Sequence, residues 1–256
     1  MKKLIMITLM IFSINAFADE YTDISDVAVD AGVPAEFAVQ VANELKTMNF
    51  AAESTLRIKE MMQKRIGSQA VSVMEKVAEG IAKNVPEARI MGAVEAIGAR
   101  YEYASQLADK MQVKQADKNG FCDAVADAMA AGATRQMLDK TIEELKSAEY
   151  TYAVMQLYKT MMQYGVEESK VSRVAVQASG MNRSQINEYR SAFMQGASMG
   201  NASDMADRME SGMKAGRSAS DMGSSSGGMS GGMGGGSGGK GGSGGGGGSG
   251  GGGGRK

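Results

Sequence analysis

Apolar residues recur at steps of three and four along most of this chain, and residues 77–111 show the pattern most clearly. Lys83-Asn84-Val85-Pro86 predicts a tight turn within this stretch, because Asn84 can take the left-handed conformation that ends a helix and Pro86 suits the start of the next. After the turn, seven positions share the spacing of one helical face: Ile90, Val94, Ile97, Tyr101, Ala104, Ala108 and Met111. The stretch therefore predicts a short helix, a turn and a long helix.

Similar turn signals recur at Gly32, Asn84, Gly132 and Gly180, which indicates an internal period of about 48 to 52 residues. Superposing these turns also aligns residues 101–104 (YEYA) with residues 150–153 (YTYA). One helical hairpin cannot bury its apolar face alone, so neighbouring copies are expected to stack. The prediction is an all-α fold of stacked helical hairpins, about three and a half short-helix/turn/long-helix units. A non-repetitive helical bundle is the alternative.

The capping residues set the predicted helix bounds. Thr134 is a good N-cap residue, and Asn182 followed by Gln185 has the form of a capping box. The predicted long helices span residues 35–66 with a bend near Asn49, residues 86–120 ending at Lys118-Asn119-Gly120, and residues 134–165. Short helices are predicted at residues 21–32, 71–82, 121–131 and 166–179, with a last helix from residue 184 to about 195.

The two ends of the sequence have a different character from the middle. Residues 1–18 have the form of a signal peptide, with Lys2 and Lys3, an apolar run and an A-x-A cleavage site at Ala16-Phe17-Ala18. An uncleaved membrane anchor is the alternative. Residues 19–200 are predicted to be the helical repeat domain, and residues 201–256 a disordered low-complexity tail of Met, Ser and Gly. The protein is therefore expected to be exported, to the periplasm in a Gram-negative cell and otherwise secreted, without a membrane span after cleavage.

Composition excludes several functions. With 28 basic and 29 acidic residues the chain has no charge excess that would favour nucleic acid. It contains no histidine, which removes the commonest general base and nearly all zinc sites. Cys122 is the only cysteine, so it is expected to be a small core residue, with an intermolecular disulfide as the alternative. No cofactor is predicted and the chain is predicted not to be an enzyme; an enzyme acting on envelope glycans or peptides stays a distant hypothesis without a nameable nucleophile, acid or base.

The 23 methionines suggest one metal hypothesis. Several lie late in the chain, between residues 194 and 233, and Met205, Met209 and Met213 are spaced by four, which aligns three thioethers on one helical side. Soft sulfur ligands suit Cu(I), so these three are candidate ligands of a periplasmic metal-handling protein. The alternative is that methionine fills helix cores adaptably.

Tyrosines give the candidate contact surface. Tyr101 and Tyr152 lie on the apolar stripe and are expected to pack inside, whereas Tyr103 and Tyr150 are predicted to contact a partner from the surface.

The segment EGIAKNVPEARI at residues 79–90 and its copies resemble exported bacterial helical proteins of unknown function, some with Gly-rich C-terminal tails. The resemblance implies export and a helical repeat. The leading hypothesis is a non-enzymatic exported scaffold that binds a protein or peptide partner in the cell envelope, with the tail as a flexible spacer. Cu(I) handling by residues 194–233 is the alternative, and self-association stays open.

Overall fold

The structure, a computed structural model, describes residues 23–65, 67–145 and 149–220. The prediction of an all-α fold of stacked helical hairpins is confirmed, because these residues form eleven helices and no strand. The helices are α1 (23–30), α2 (Ala35–Thr47), α3 (Ala52–Gln63), α4 (Ser68–Ala82), α5 (Glu87–Lys110), α6 (Gln115–Ala130), α7 (Arg135–Glu143), α8 (Thr151–Gln163), α9 (Glu168–Ala178), α10 (Arg183–Met199) and α11 (Ala202–Lys214).

Seven of the described helices end in the same way. A residue of positive φ donates its N–H to the carbonyl three residues back, and the next residue donates its N–H to the carbonyl five residues back. This pair of bonds is the Schellman motif, which satisfies carbonyls that the helix end would otherwise leave open. The left-handed residues are Gly32, Asn49, Asn84, Gln112, Gly132, Gly165 and Gly216. The turns predicted at Gly32, Asn84 and Gly132 are therefore confirmed.

Alternate helices pack side by side and run parallel. The α6–α8 pair shows this, because Gln156 bonds to the Gly120 carbonyl and Lys159 pairs with Asp127, so the residue numbers rise together along both helices. One row contains α2 on α4 and then α6, α8 and α10; the other contains α3 on α5 and then α7, α9 and α11. Between neighbouring helices of a row, apart from α4 and α6, polar side-chain contacts join residues 31 to 38 apart.

Consecutive helices pack antiparallel, as α5 and α6 show. Lys118 near the start of α6 bonds to Asp109 near the end of α5, whereas Asp123 further along α6 meets Tyr101 further back in α5. A hairpin of consecutive helices with parallel alternate helices is the arrangement of a stacked helical repeat.

Two of the three long arms are each a pair of helices. The arm predicted at residues 35–66 ends at Thr47 and restarts at Ala52, because Asn49 is left-handed and Phe50 turns into the core with 4% exposure. The arm predicted at residues 134–165 likewise ends at Glu143 as α7 and continues as α8. The polar contacts within the rows show a spacing of 31 to 38 residues between neighbouring helices, which is shorter than the 48 to 52 residues between the predicted turns.

Only α5 is a single long helix, and it ends earlier than predicted. It stops at Lys110 because Gln112 takes the left-handed conformation. The sequence gives no sign of this helix end, because no glycine or asparagine stands at that position. Gly120 lies inside α6 instead of ending a helix. A Cβ atom at Gly120 would lie 2.8 Å from the Tyr152 ring, so this glycine allows close packing of α8 on α6.

The helical domain extends beyond the predicted boundary at residue 200. Asn201 accepts a bond from the Ser203 N–H and caps α11, which packs on α9 and α10. Met209 on its inner face is fully buried. The predicted signal peptide, residues 1–18, and the tail beyond residue 220 lie outside the described residues. Within the described ranges, no helix has both the length and the apolar character that crossing a membrane requires.

Candidate functional site

The regular packing of alternate helices is interrupted at α5. In the described chain, α4 and α6 pack less closely on each other than α6 does on α8 or α8 on α10. The helices α5 and α7 are joined by side chains of Tyr103, Lys110 and Arg135. The helix α5 has 24 residues, whereas α4 has 15 and α6 has 16, so each of these two helices covers only part of α5. The first half of α5 contacts α3 through Arg57 and Glu95, and its second half contacts α7 through Tyr103 and Asp139. A cleft therefore opens between α4 and α6, which we call the α4–α6 cleft.

A polar bridge crosses this cleft. Ser68 Oγ, in the first turn of α4, donates to the Asp123 carboxylate of α6, with oxygen separations of 2.9 and 2.7 Å. Tyr101 Oη of α5 donates to the same carboxylate over 3.0 Å. Burial of Tyr101, reinforced by the charge of Asp123, raises the pKa of this phenol above its ordinary value, so the hydroxyl stays protonated as a donor. Tyr101 lines cavities on both sides, so the bridge divides the cleft in two.

The larger cavity has a volume of about 600 Å³ and lies between the end of α3, the middle of α5 and the start of α6. Its lining combines apolar surface from Met61 and Gly98 with hydrogen-bonding groups. The uncharged hydrogen-bonding groups include Gln69, Ser105, Gln106 and Asn119. This volume lies within the range of natural ligand sites, but polar and charged residues form most of the lining, whereas such sites are usually mostly apolar.

Three of the six charged side chains that line this cavity form ion pairs among the described residues. Lys118 bonds to Asp109 over 2.6 Å, and Glu95 bonds to Arg57 over 2.7 Å. These pairs lie at the surface, where each contributes little to stability. They leave the cavity without a strong excess of either charge.

Lys64, Arg65 and Glu102 also line this cavity, and no ion pair joins them to another described residue. Arg65 lies just beyond the end of α3. Its Nη1 donates to the Met61 carbonyl over 3.0 Å, but among the described residues no carboxylate lies within ion-pair distance. Its Nε is shielded from solvent and has no acceptor. Burial lowers the pKa of Arg65, while the more distant charge of Glu102 acts in the opposite direction. A guanidinium stays charged at physiological pH even so, which leaves a partly desolvated cation facing the cavity.

The smaller cavity, about 260 Å³, lies on the other side of the bridge between α4, α5 and α6. Lys76 and Glu79 of α4 lie at its edge with Arg100 of α5. Hydrogen bonds from Lys76 and Lys83 lower the pKa of Glu79 to about 2, so this carboxylate is ionised throughout the physiological range. The rim of the smaller cavity is thus an exposed, mutually paired charge cluster.

Cys122 borders the larger cavity but is chemically quiet. It is 2% exposed, which confirms the prediction of a small core residue. Burial raises the pKa of the thiol to about 11, with Lys118 acting against this shift and Asp123 adding to it. Because the thiolate is the reactive form, Cys122 is not an activated nucleophile at neutral pH.

The structure places Tyr103 and Tyr150, the predicted partner-contact residues, in half-buried positions. Tyr103 Oη donates to Asp139 over 3.0 Å, and its ring lies 5.1 Å from the Arg135 guanidinium, so it joins α5 to α7 within the chain. Burial and then the Asp139 bond raise its pKa. Tyr150 immediately precedes α8 and packs partly against the core. Neither tyrosine lines the α4–α6 cleft.

The three candidate Cu(I) ligands do share one face of α11, and that face is turned inward. Met205, Met209 and Met213 are 8%, 0% and 7% exposed and belong to the core. Met205 packs so closely on α10 that a Cβ atom at Gly196 would lie 2.7 Å from its sulfur. A metal ion would reach these thioethers only if α11 left the core. Elsewhere in the described ranges, no group of His, Cys, Asp and Glu side chains has the arrangement of a metal site.

Comparison of the chain with protein-family models, with characterised proteins and with solved structures gave no match. The functional argument therefore rests on the geometry of the cleft. The sequence contained two signals for it. Gly98 is a glycine in the interior of a helix, where it costs about 1 kcal/mol relative to alanine, and Asp123 is an acid among apolar neighbours. Their contacts with Arg65 and Ser68 join residues from different helices, which periodicity does not reveal.

Proposed function

We propose that this protein is an exported, non-enzymatic helical scaffold that binds a protein or peptide partner in the cell envelope. The observation that carries the proposal is the α4–α6 cleft. Both α4 and α6 pack on α5 but less closely on each other, and a cavity of about 600 Å³ lies at this junction. Stacked helical repeats present such surfaces to extended partners. Export rests on the form of residues 1–18.

The lining of the larger cavity favours a peptide over a purely apolar ligand. Gln69, Gln106 and Asn119 supply amide donors and acceptors, and Ser105 supplies a hydroxyl. These groups complement the N–H and C=O groups that a peptide carries along its backbone. Met61 and Gly98 add apolar surface between them. We infer that a short extended segment of the partner lies along α5.

Site-specific photo-crosslinking in the native cell envelope tests this proposal. A benzophenone amino acid replaces Gln106, which lines the cavity, and in a matched control it replaces Gln136, which is exposed on α7 outside it. We expect one adduct from position 106, mapped by mass spectrometry to a single segment of one protein, and none from position 136. The substitution Ser105→Phe places a ring in the cavity and should abolish the adduct. Equal labelling from both positions, or an adduct that survives Ser105→Phe, would reject the cleft as the binding site.

A further inference from the structure

Arg65 is held in place by only part of its hydrogen-bonding capacity. Of its donors, Nη1 bonds to the Met61 carbonyl, whereas the Nε has no acceptor although it is withdrawn from solvent. A buried donor without a partner costs free energy, more so on a charged group. In this conformation the Nε is unsatisfied but shielded, so a ligand in the cavity would meet the guanidinium through its Nη atoms.

The backbone of α5 is shaped around the same guanidinium. A Cβ atom at Gly98 would lie 2.8 Å from Arg65 Nη2 and 3.7 Å from the Met61 sulfur. Any other residue at position 98 would push the guanidinium away from α5. A helix-interior glycine lowers helix stability by about 1 kcal/mol relative to alanine, so position 98 gives up stability where the guanidinium lies.

A simpler explanation is that Arg65 only caps α3. Its bond to Met61 does satisfy a carbonyl in the last turn of that helix, and a cation is favourable near a helix C-terminus. Capping accounts for Nη1 alone, however. It accounts neither for the Nε without an acceptor nor for the glycine beneath Nη2.

We propose that Arg65 is the anchor of the α4–α6 cleft and binds a carboxylate of the ligand, either an acidic side chain or the C-terminus of a peptide. This proposal rests on the proposed function and names the recognised group. The planar guanidinium fork matches a carboxylate through two parallel hydrogen bonds. A single negative charge fits the local balance, because Lys118 is already paired with Asp109 and Glu102 lies nearby. Lys64, which also lines the cavity without an ion pair among the described residues, is exposed, whereas Arg65 is partly buried.

The experiment is a titration of the isotope-labelled full chain followed by the N–H resonance of Arg65 Nε. Three blocked tripeptides serve as probes. The first has a central glutamate and an amidated C-terminus, the second has glutamine in place of glutamate, and the third has three alanines and a free C-terminal carboxylate. We expect a saturable shift of the Arg65 resonance with the first or third peptide and none with the glutamine peptide. The responding peptide identifies the source of the carboxylate.

Variants separate anchoring from capping. Arg65→Gln should weaken the responding peptide at least about tenfold, the effect of losing one charge-assisted bond. Arg65→Lys keeps the charge without the fork and should bind with intermediate affinity. Gly98→Ala should also weaken binding because it displaces the guanidinium, without lowering the melting temperature. The matched control Arg208→Gln, an exposed cation on α11, should leave affinity unchanged.

Three results overturn the anchor. They are a silent Arg65 resonance with both carboxylate peptides, an equal response to the glutamine peptide, and a response to inorganic phosphate alone. The wild-type titration decides this even if Arg65→Gln fails to fold. The outcome is also separable from that of the proposed function. An adduct from position 106 in cells, together with an unchanged Arg65 resonance, would support the scaffold proposal and reject Arg65 as the anchor. Carboxylate binding at Arg65 without any adduct would support the anchor and reject the scaffold proposal.

Discussion

Neighbouring helices of one row are held together differently in the α6–α11 block and at the junction around α5. In the block, α6, α8 and α10 pack in one row, and large side chains such as Phe121, Tyr158 and Phe193 are fully buried. At the junction, α4 and α6 are joined instead by a carboxylate that accepts bonds from Ser68 and Tyr101. In the block, buried apolar side chains hold neighbouring helices together. At the junction, where α5 is longer than the helices packed on it, a polar bridge joins α4 to α6 and a cavity lies on either side of the bridge.

The largest effect on stability is expected when a buried side chain is removed from the α6–α11 block. Phe193→Ala in α10 deletes a fully buried ring that also meets Tyr164 edge-on at 5.6 Å, and should lower the free energy of unfolding by about 3 to 5 kcal/mol. Gln106→Ala, in the cleft, should change it by less than about 0.5 kcal/mol. Urea unfolding followed by circular dichroism measures both. Similar losses from the two variants would contradict the contrast between block and junction.

The next effect breaks the bridge. Asp123→Ala removes the shared acceptor of Ser68 and Tyr101 and should cost about 1 to 3 kcal/mol. Amide hydrogen exchange should accelerate in α4 more than in α8, because α4 loses its link to α6. Asp204→Ala, an exposed acid on α11, is the control and should be nearly neutral. Uniform acceleration across both helices would show that the bridge is not local to the junction.

A glycine-to-alanine substitution is expected to change stability less, and with opposite signs in the two regions. Gly92→Ala in α5 adds a methyl group where no atom lies within 4 Å, so helix propensity alone should raise stability by about 0.5 to 1 kcal/mol. Gly120→Ala in α6 meets the Tyr152 ring at 2.8 Å and should instead destabilise. Thermal melting of the two variants against the parent gives the signs. A gain in stability at position 120 would mean that α6 and α8 are less tightly packed than the structure shows.

The smallest effect concerns pH at the rim of the smaller cavity. The pKa of Glu79 is lowered to about 2 in the folded chain, whereas an unfolded glutamate has a pKa near about 4.3. Its contribution to stability is therefore complete above the unfolded value and is lost as pH falls from there towards 2. Glu79→Gln should flatten this part of the stability profile slightly, since the group is fully exposed and screened. An unchanged slope between pH 4.5 and 2 would argue against the Lys76 and Lys83 contacts.

Helix ends were predictable where a residue type enforces the backbone conformation. Gly32, Asn84 and Gly132 are left-handed as expected, the Thr134 side chain accepts from the Met137 N–H as an N-cap, and Asn182 with Gln185 forms the predicted capping box. The end of α5 was not predictable, because its left-handed residue is Gln112, a residue type that rarely adopts this conformation. Gly120 was wrongly predicted to end a helix, because it lies inside α6 and allows α8 to pack closely there.

The cleft was less predictable than the helices. Periodicity assigns Tyr101 to the buried face and Cys122 to the core, and both assignments are confirmed. It does not reveal that Arg65 and Gly98 meet, because their contact depends on how α3 and α5 are placed in space. The methionines of α11 show the same limit: their spacing gives the shared face but not whether the face meets solvent or the core.

The helix α5, with 24 residues, lies between the helices before it and those after it in the stack. At about 1.5 Å of rise per residue, its length sets how far the helices before it are displaced along the axis from those after it. Removing about seven residues, two helical turns, would keep the same faces inward while shortening that displacement. The offset between α4 and α6 would therefore change stepwise with the number of turns in α5, while the turns at either end stay the same.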